Sequence, residues 1–366
     1  MTTPPFGSFF LPGPTEVRRP VLEAMLQPMI AHRGRAFEVL FARVQAGLQH
    51  VFRTTRPMFV STSSATGLME AAVRCAPPGP VLSIVNGAFA ERFAHIVRMT
   101  GRDGDVLTVP AGEGVQPAAL EERLRARSYA AVTVVHSETS TGALTDVRAV
   151  SDLAHRHGAV CLVDSVTGVG GTPLEFDAWG LDFALTGSQK ALAMPPGLAF
   201  GVASEPYMAS AARAEGRGVY FDLVEFERAA LRHQTPNTPA ISLLYAADAQ
   251  LAAIVARGME PRWAEHRAMA ERTWQWVAEC GERLGIAMGV LAPEGQRSPT
   301  VTAITLPTAV AAALPAAVAA RGYVIGGGYG AAKATTVRIG HMGDHTVATL
   351  EGCLAACEAA LVEIAG

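Results

Sequence analysis

Two residues of this chain together support one kind of chemistry. Lys190 closes the tetrad Gly187-Ser188-Gln189-Lys190, and Asp164 precedes it by 26 positions, at the end of an apolar run. A lysine amine can form a Schiff base with an aldehyde, and a buried carboxylate can keep a heteroaromatic nitrogen protonated. The pair therefore indicates a candidate Schiff-base site with Lys190 as its catalytic residue.

Small and polar residues follow other apolar runs in the same way. Ser64, Ala65 and Thr66 follow the run 58–60 and open a helical pattern, where backbone N–H groups can bind an anion. An ordinary Ser/Thr helix cap is the alternative. Phe89 begins another helical pattern and could stack on an aromatic ring, although a core position explains it equally simply.

A polar stretch, residues 136–142, directly follows the apolar run 131–135. Buried polar groups need partners, and Thr139 could bond a ring hydroxyl, although a solvated loop is the alternative. Arg338 alternates with the apolar Val337 and Ile339, so it points to the opposite face of a short strand. Its planar guanidinium suits a carboxylate, with a structural salt bridge as the alternative. Together these groups match what pyridoxal 5'-phosphate (PLP) requires.

Short apolar runs alternate with longer amphipathic segments along the chain. These segments predict the strands and helices that must position the residues above. This pattern predicts an α/β fold, with a large domain built on a mostly parallel sheet between helices and a smaller α+β C-terminal domain. We expect an N-terminal arm over residues 1–16, the large domain over 17–245 and the small domain over 246–366. The Gly-rich stretch 326–330 lacks the context of a phosphate loop.

Composition and net charge limit the kinds of binding partner that we expect for this protein. The net charge of −3 gives no reason to expect nucleic acid or an anionic membrane as a partner. The five cysteines form no CxxC pair, which favours free thiols in a cytoplasmic protein and no metal site. The uncharged stretch 301–320 is explained by a strand followed by a helix, and residues 1–10 lack the features of a signal peptide.

The chain resembles the class V aminotransferases among the fold type I PLP enzymes, and most resembles the alanine–glyoxylate and serine–glyoxylate aminotransferases. The resemblance covers nearly the whole chain, and the segments that carry it are 11–15, 32–33, 138–142, 163–165, 187–192, 195–197 and 338–340. It implies transfer of an amino group from alanine or serine to glyoxylate or pyruvate by a ping-pong mechanism.

The resemblance also implies roles for single residues. Lys190 would hold the cofactor and move the proton, and Asp164 would pair with the pyridine nitrogen. Arg338, helped by the backbone of Gly13, would bind the substrate carboxylate. The active site would lie at the interface of a homodimer. His32 and Arg33 keep two alternatives: they line the site or they hold the N-terminal arm. The remaining cofactor contacts would be Ser64, Ala65, Thr66 and Gln189 at the phosphate, Phe89 and Thr139 at the ring, and Thr238 from the partner subunit.

Other functions are compatible with parts of this sequence pattern. A 2-aminoethylphosphonate–pyruvate transaminase fits the same motifs, because an arginine holds a phosphonate about as readily as a carboxylate. A desulfurase-like lyase needs a reactive cysteine on a mobile loop, whereas Cys353 and Cys357 lie in an apolar C-terminal helical pattern. A nucleotide-binding α/β protein is disfavoured, because the sequence has neither a GxGxxG nor a GxxxxGK[ST] motif.

Overall fold

A computed structural model describes residues 6–365, so the first five residues of the predicted arm lie outside the described part. Strands and helices alternate along the chain. The strands are β1 (Phe9–Phe10), β2 (Met58–Ser61), β3 (Val81–Val85), β4 (Gly104–Thr108), β5 (Ala131–Val135), β6 (Ser137–Glu138), β7 (Ala143–Leu144), β8 (Val160–Asp164), β9 (Phe183–Gly187), β10 (Ala199–Ala203), β11 (Gly289–Val290), β12 (Val301–Thr305), β13 (Val324–Gly327) and β14 (Thr336–Gly340). The helices are α1 (Arg19–Ala24), α2 (Arg35–Phe52), α3 (Ala65–Cys75), α4 (Ala88–Met99), α5 (Pro117–Ala126), α6 (Val147–Arg156), α7 (Glu205–Ala211), α8 (Leu223–Ala230), α9 (Ile241–Arg257), α10 (Met259–Leu284), α11 (Thr308–Ala319) and α12 (Val347–Ala365).

The larger sheet confirms the predicted fold class. Its order is β2-β10-β9-β8-β5-β3-β4, and every neighbouring pair from β9 to β4 is parallel. Only β10 runs against its two neighbours. Alternate residues of strand β5 pack into two different cores. Val132 and Val134 pack in the core that includes α2, α5, α6 and α9. Ala131 packs in the core that includes α3, α4, α7 and α8. Helices therefore cover both faces, which explains the continuous apolar runs.

Three elements of the larger sheet and its helices were not predicted. The strand β4 is partly exposed at the sheet edge and therefore has no continuous apolar run. The helices α7 and α8 are short, but each begins at a capping side chain: Ser204 accepts a hydrogen bond from Tyr207 N, and Asp222 accepts one from Val224 N.

The smaller sheet has the order β1-β13-β14-β12-β11 and packs against α10, α11 and α12. The stretch 301–320 forms a strand and a helix as predicted, and none of the described helices combines the length and apolar character that a bilayer crossing requires. Two features differ from expectation: Gly326 and Gly327 belong to strand β13, and the N-terminal segment adds β1 to this sheet, parallel to β13.

The predicted boundary at 245/246 falls inside helix α9. Leu244, Leu251 and Ile254 of this helix belong to the core of the larger sheet. We therefore propose that the large domain extends to Arg257, and that Gly258, which has a φ of +84°, separates it from α10. Limited proteolysis that released a stable fragment ending before α9 would contradict this boundary.

Candidate active site

A cavity of about 470 Å³ lies at the carboxyl edge of the larger sheet. This volume is typical of small-molecule sites, which measure roughly 300–1,000 Å³. Strands β4 and β5 lie on opposite sides of β3, and ligands of such sheets bind beyond the carboxyl ends near this switch in strand order. The residues that line the cavity are Gly13, Pro14, Ser64, Ala65, Thr66, Met69, Phe89, Arg92, Val135, Ser137, Thr139, Asp164, Val166, Thr167, Gln189, Lys190 and Pro196.

Lys190 lies in the turn after β9 and is 7% exposed. Its Nζ donates a hydrogen bond to the carbonyl oxygen of Pro12. Gly13 has a φ of +107°, and a Cβ at this position would collide with Nζ, so glycine is required where the arm crosses the lysine. Burial, together with the charge of Arg338, lowers the pKa of Lys190 to about 8. At pH 7 about a tenth of the amine is therefore neutral, and hence nucleophilic, far more than for an ordinary lysine.

Asp164 ends strand β8 and is 2% exposed. Val166 N donates a 2.8 Å hydrogen bond to Oδ1, which fixes the carboxyl orientation. Burial, aided by the nearby Glu138 carboxylate, raises the pKa of Asp164 to about 7, against the opposing effects of the Val166 N–H and of Lys190. A buried carboxyl of this kind gains stability from a cationic partner, and a protonated ring nitrogen is such a partner.

Another part of the cavity wall is formed by the start of helix α3. Ser64 is its N-cap residue, but the Ser64 side chain makes no capping hydrogen bond. The N–H groups of Ala65 and Thr66 in the first turn therefore present an anion-binding helix terminus to the cavity. Gln189, which precedes the lysine, lines the same cavity.

The buried carboxylate of Glu138 fixes the backbone at Phe89. Glu138 is fully buried and accepts hydrogen bonds from Phe89 N at 3.1 Å and Ala90 N at 3.0 Å, at the start of α4. Ser140 donates two more, from its N–H and its hydroxyl. Burial raises the pKa of Glu138, and these four hydrogen bonds oppose the shift. The Phe89 ring centroid lies 5.8 Å from Lys190 Nζ.

Arg338 is half-buried on β14 between the fully buried Val337 and Ile339, as the alternation predicted. Its Nε donates to Gly327 O at 2.9 Å and its Nη1 to Thr139 O at 3.2 Å. Arg338 thus lies next to the cavity wall rather than within it, and it connects the smaller sheet to the turn between β6 and β7. Burial lowers its pKa from the ordinary value.

The cavity contains groups that the sequence argument did not assign. The Thr139 and Thr167 hydroxyls share a 2.5 Å hydrogen bond. Arg92 lines the cavity with its guanidinium carbon 4.9 Å from the Phe89 ring centroid. Arg92 could have been found from the sequence, because it follows Phe89 by three positions on α4 and so shares its helix face. Thr167 comes from a turn with no such periodicity.

Two residues that the sequence singled out, Thr238 and Arg33, lie outside this cavity. Thr238 is exposed and lines a small separate recess of about 10 Å³, so it does not reach the cavity of its own chain. Arg33 does not line the cavity either. Its guanidinium donates to Thr235 O at 2.6 Å and Pro236 O at 3.0 Å, so Arg33 fixes the segment that carries Thr238.

Metal chemistry and cysteine chemistry find no support in residues 6–365. No cluster of His, Cys, Asp and Glu suited to a metal occurs there. All five cysteines are free and buried, with Cys353 and Cys357 in the interior face of α12. Burial raises the pKa of Cys75, Cys161 and Cys280 above the ordinary value. A mobile cysteine nucleophile of the desulfurase kind is therefore not among the described residues.

A buried lysine, a buried carboxylate and a helix N-terminus lie around one α/β cavity, an arrangement suited to Schiff-base chemistry. The family model of the class V aminotransferases matches residues 17–346, and the chain belongs to this family. Enzymes of this family depend on PLP.

Three similar proteins illustrate the range of the family. The serine–glyoxylate aminotransferase of Methylorubrum extorquens is 32% identical over 97% of this chain and 90% of its own length. The L-aspartate–glyoxylate aminotransferase of Paracoccus denitrificans is 31% identical over 97% and 91%. The solved structure of alanine–glyoxylate aminotransferase from Nostoc has a TM-score of 0.90 and 28% identity, covering 99% of this chain and 96% of that one. Their names share glyoxylate and differ in the amino acid.

The residues present fit PLP. The lysine amine, the buried carboxyl and the helix N-terminus match an aldehyde, a pyridine nitrogen and a phosphate in chemistry, and all three line one cavity. Gly13 is a second indication that a group binds at this lysine, because any larger residue would occupy the space around the lysine amine.

Proposed function

We propose that this protein is an aminotransferase that moves the amino group of alanine or serine to glyoxylate or pyruvate by a ping-pong mechanism. The observation that carries the proposal is the shared cavity of Lys190 and Asp164, whose pKa values lie at about 8 and about 7. The glyoxylate in the names of the three relatives supports the acceptor. A cytoplasmic location fits the five free cysteines and is testable by cell fractionation.

Lys190 has two tasks in this proposal. Its neutral amine would hold the aldehyde carbon of the cofactor, and the same amine would move the proton at the substrate Cα. PLP, when bound, supplies an electron sink for the negative charge at that carbon. Asp164 keeps a positive charge on the ring nitrogen, which strengthens this sink. The pKa of about 8 supports the base role, because the amine is available without strong alkali.

The other predicted residues bind and orient. Phe89 would stack on the ring, and Thr139 would bond the ring hydroxyl. The helix N-terminus would hold the phosphate through Ser64, Ala65 and Thr66, together with Gln189. These assignments are supported by the position of all six residues on the cavity wall.

Arg338 and the backbone of Gly13 are proposed to bind the substrate carboxylate. The two hydrogen bonds that Arg338 makes to backbone carbonyls support this role, because they fix the plane of a guanidinium next to the cavity. One such arginine favours donors with a single carboxylate. Arg92 is a second cation on the wall, so a dicarboxylic donor must be part of the test.

A transamination panel tests this proposal. Alanine, serine, aspartate and 2-aminoethylphosphonate are offered with glyoxylate and with pyruvate, and kcat/KM is measured for each pair. We expect alanine or serine with glyoxylate to rank first. In Arg338→Ala, KM for donor and acceptor should rise by roughly 10²-fold, since a charge-assisted bidentate contact contributes about 3 kcal/mol. Aspartate or the phosphonate ranking first would contradict the proposed donor.

We further propose that the protein is a homodimer in which Thr238 of one subunit contacts the cofactor phosphate of the other. This is supported by the exposure of Thr238 and by its position on a separate recess rather than on the wall of its own cavity, while Arg33 fixes its segment. Sedimentation equilibrium should give twice 38.3 kDa. Thr238→Ala should weaken PLP binding about tenfold, because one hydrogen bond to a charged group contributes about 1.5 kcal/mol. A monomeric protein would contradict this arrangement.

A further inference from the structure

The connection between β13 and β14 brings an aromatic residue to the active site. Glycines make this connection tight. A Cβ at Gly328 would lie 2.5 Å from Lys333 O and 2.6 Å from Thr336 Oγ1, and Gly330 has a φ of +61°. Because Gly326 pairs with Arg338 in the sheet, the connection begins beside the proposed carboxylate-binding arginine. The residue that it presents is Tyr329.

The Tyr329 ring contacts one residue proposed to bind the cofactor, Phe89, and one proposed to bind the substrate, Arg338. It stacks on Phe89, with ring centroids 5.7 Å apart and an interplanar angle of 13°. The Arg338 guanidinium carbon lies 5.4 Å from the Tyr329 ring centroid, within range of a cation–π contact. Tyr329 is 41% exposed, so its ring contacts these groups and still reaches solvent.

Unfilled space adjoins this ring. Tyr329 lines a second cavity of about 180 Å³ together with Ala88, Ser140 and Thr141. The Thr141 hydroxyl is buried and makes no hydrogen bond within the described residues. The main cavity is lined instead by Phe89 and Thr139, the immediate neighbours of Ala88 and Ser140. Tyr329 lines the second cavity but not the main one, and its stacking on Phe89 places it beside the wall of the main cavity.

We propose that Tyr329 is a specificity-determining residue that separates the second cavity from the substrate site and so restricts the enzyme to donors with short side chains. This inference rests on the proposed transaminase function. The ring closes the site beside Arg338, so a donor whose carboxylate is bound there meets Tyr329 with its side chain. Removing the ring joins the second cavity to the site and admits a larger side chain.

The test compares alanine with phenylalanine as donor to glyoxylate. In Tyr329→Ala, the ratio of kcat/KM for phenylalanine to that for alanine should rise roughly tenfold or more, the usual scale of discrimination by an apolar pocket. Tyr329→Phe keeps the ring and should stay within about twofold of the wild-type ratio. Lys333→Ala is the matched control, because Lys333 lies on the same connection, is exposed and lines neither cavity.

Titration calorimetry supplies a second readout that needs no turnover. Propionate and 3-phenylpropionate carry the carboxylates of the two donors without the amine. Tyr329→Ala should bind 3-phenylpropionate about tenfold more tightly than the wild type does. An unchanged donor ratio and unchanged affinity in Tyr329→Ala, or an equal change in Lys333→Ala, would overturn the inference. A wild type that transaminates no donor would instead refute the proposed function, while calorimetry still tests the wall.

Discussion

Lys190→Ala is expected to abolish amino transfer and the yellow colour of the purified protein together. The amine is the only group on the cavity wall that can hold an aldehyde covalently and also accept the substrate proton. Losing a covalent catalyst that is also the base should lower kcat by at least about 10⁴-fold. Steady-state kinetics and a visible absorbance spectrum measure both effects on the same sample.

The second lysine of the chain, Lys333, is a control for this experiment. The chain has only two lysines, Lys190 and Lys333, among 30 basic residues. Borohydride reduction in the presence of PLP should therefore label Lys190 and leave Lys333 unmodified, as peptide mass mapping can show. Lys333→Ala should keep the colour and the activity. Colour retained in Lys190→Ala, or a label on Lys333, would contradict the assignment.

Much of the candidate site was predictable because its parts follow strands. In a parallel sheet every strand ends at the same edge, so Ser64, Phe89, Thr139, Asp164 and Lys190 could be grouped from sequence alone. The structure brings all five to one cavity. Their roles follow from chemistry that a single residue type already limits, such as the amine of lysine.

The residues that escaped prediction depend on contacts between distant segments. Glu138 was part of a recognised polar stretch, yet its hydrogen bonds to the start of α4 involve residues 48 and 49 positions away. Tyr329 lies in the Gly-rich stretch that lacked a phosphate-loop context, and only the pairing of β13 with β14 brings it to Phe89. Arg33 likewise bonds a segment about 200 positions distant. No local pattern encodes such pairings.

Asp164→Asn should have opposite effects on activity and on the stability of the cofactor-free protein. The substitution keeps the shape and the acceptor for Val166 N but removes the charge. Without an anion to hold the ring nitrogen protonated, the developing charge at the substrate Cα is less stabilised, and kcat should fall on the order of 10³-fold. Single-turnover kinetics measures this loss without interference from cofactor affinity.

The stability effect follows from the raised pKa. The Asp164 pKa is about 7 in the folded protein and 3.8 in the unfolded reference, so the folded state binds more protons between these values. The wild-type free energy of unfolding therefore falls as pH rises from about 4 to about 7. A neutral asparagine avoids this cost and should make the cofactor-free variant more stable by a few kcal/mol above pH 7, with the difference disappearing near pH 4.

Urea unfolding of the cofactor-free proteins at pH 4, 6 and 8 measures this difference. Asp152→Asn, an exposed carboxylate on α6, is the matched control and should show little pH-dependent change relative to wild type. A difference that stays constant from pH 4 to pH 8, or an Asp164→Asn enzyme that keeps a third of its activity, would contradict the argument. If both effects occur, Asp164 is a group whose burial costs stability in the empty protein and whose charge the reaction requires.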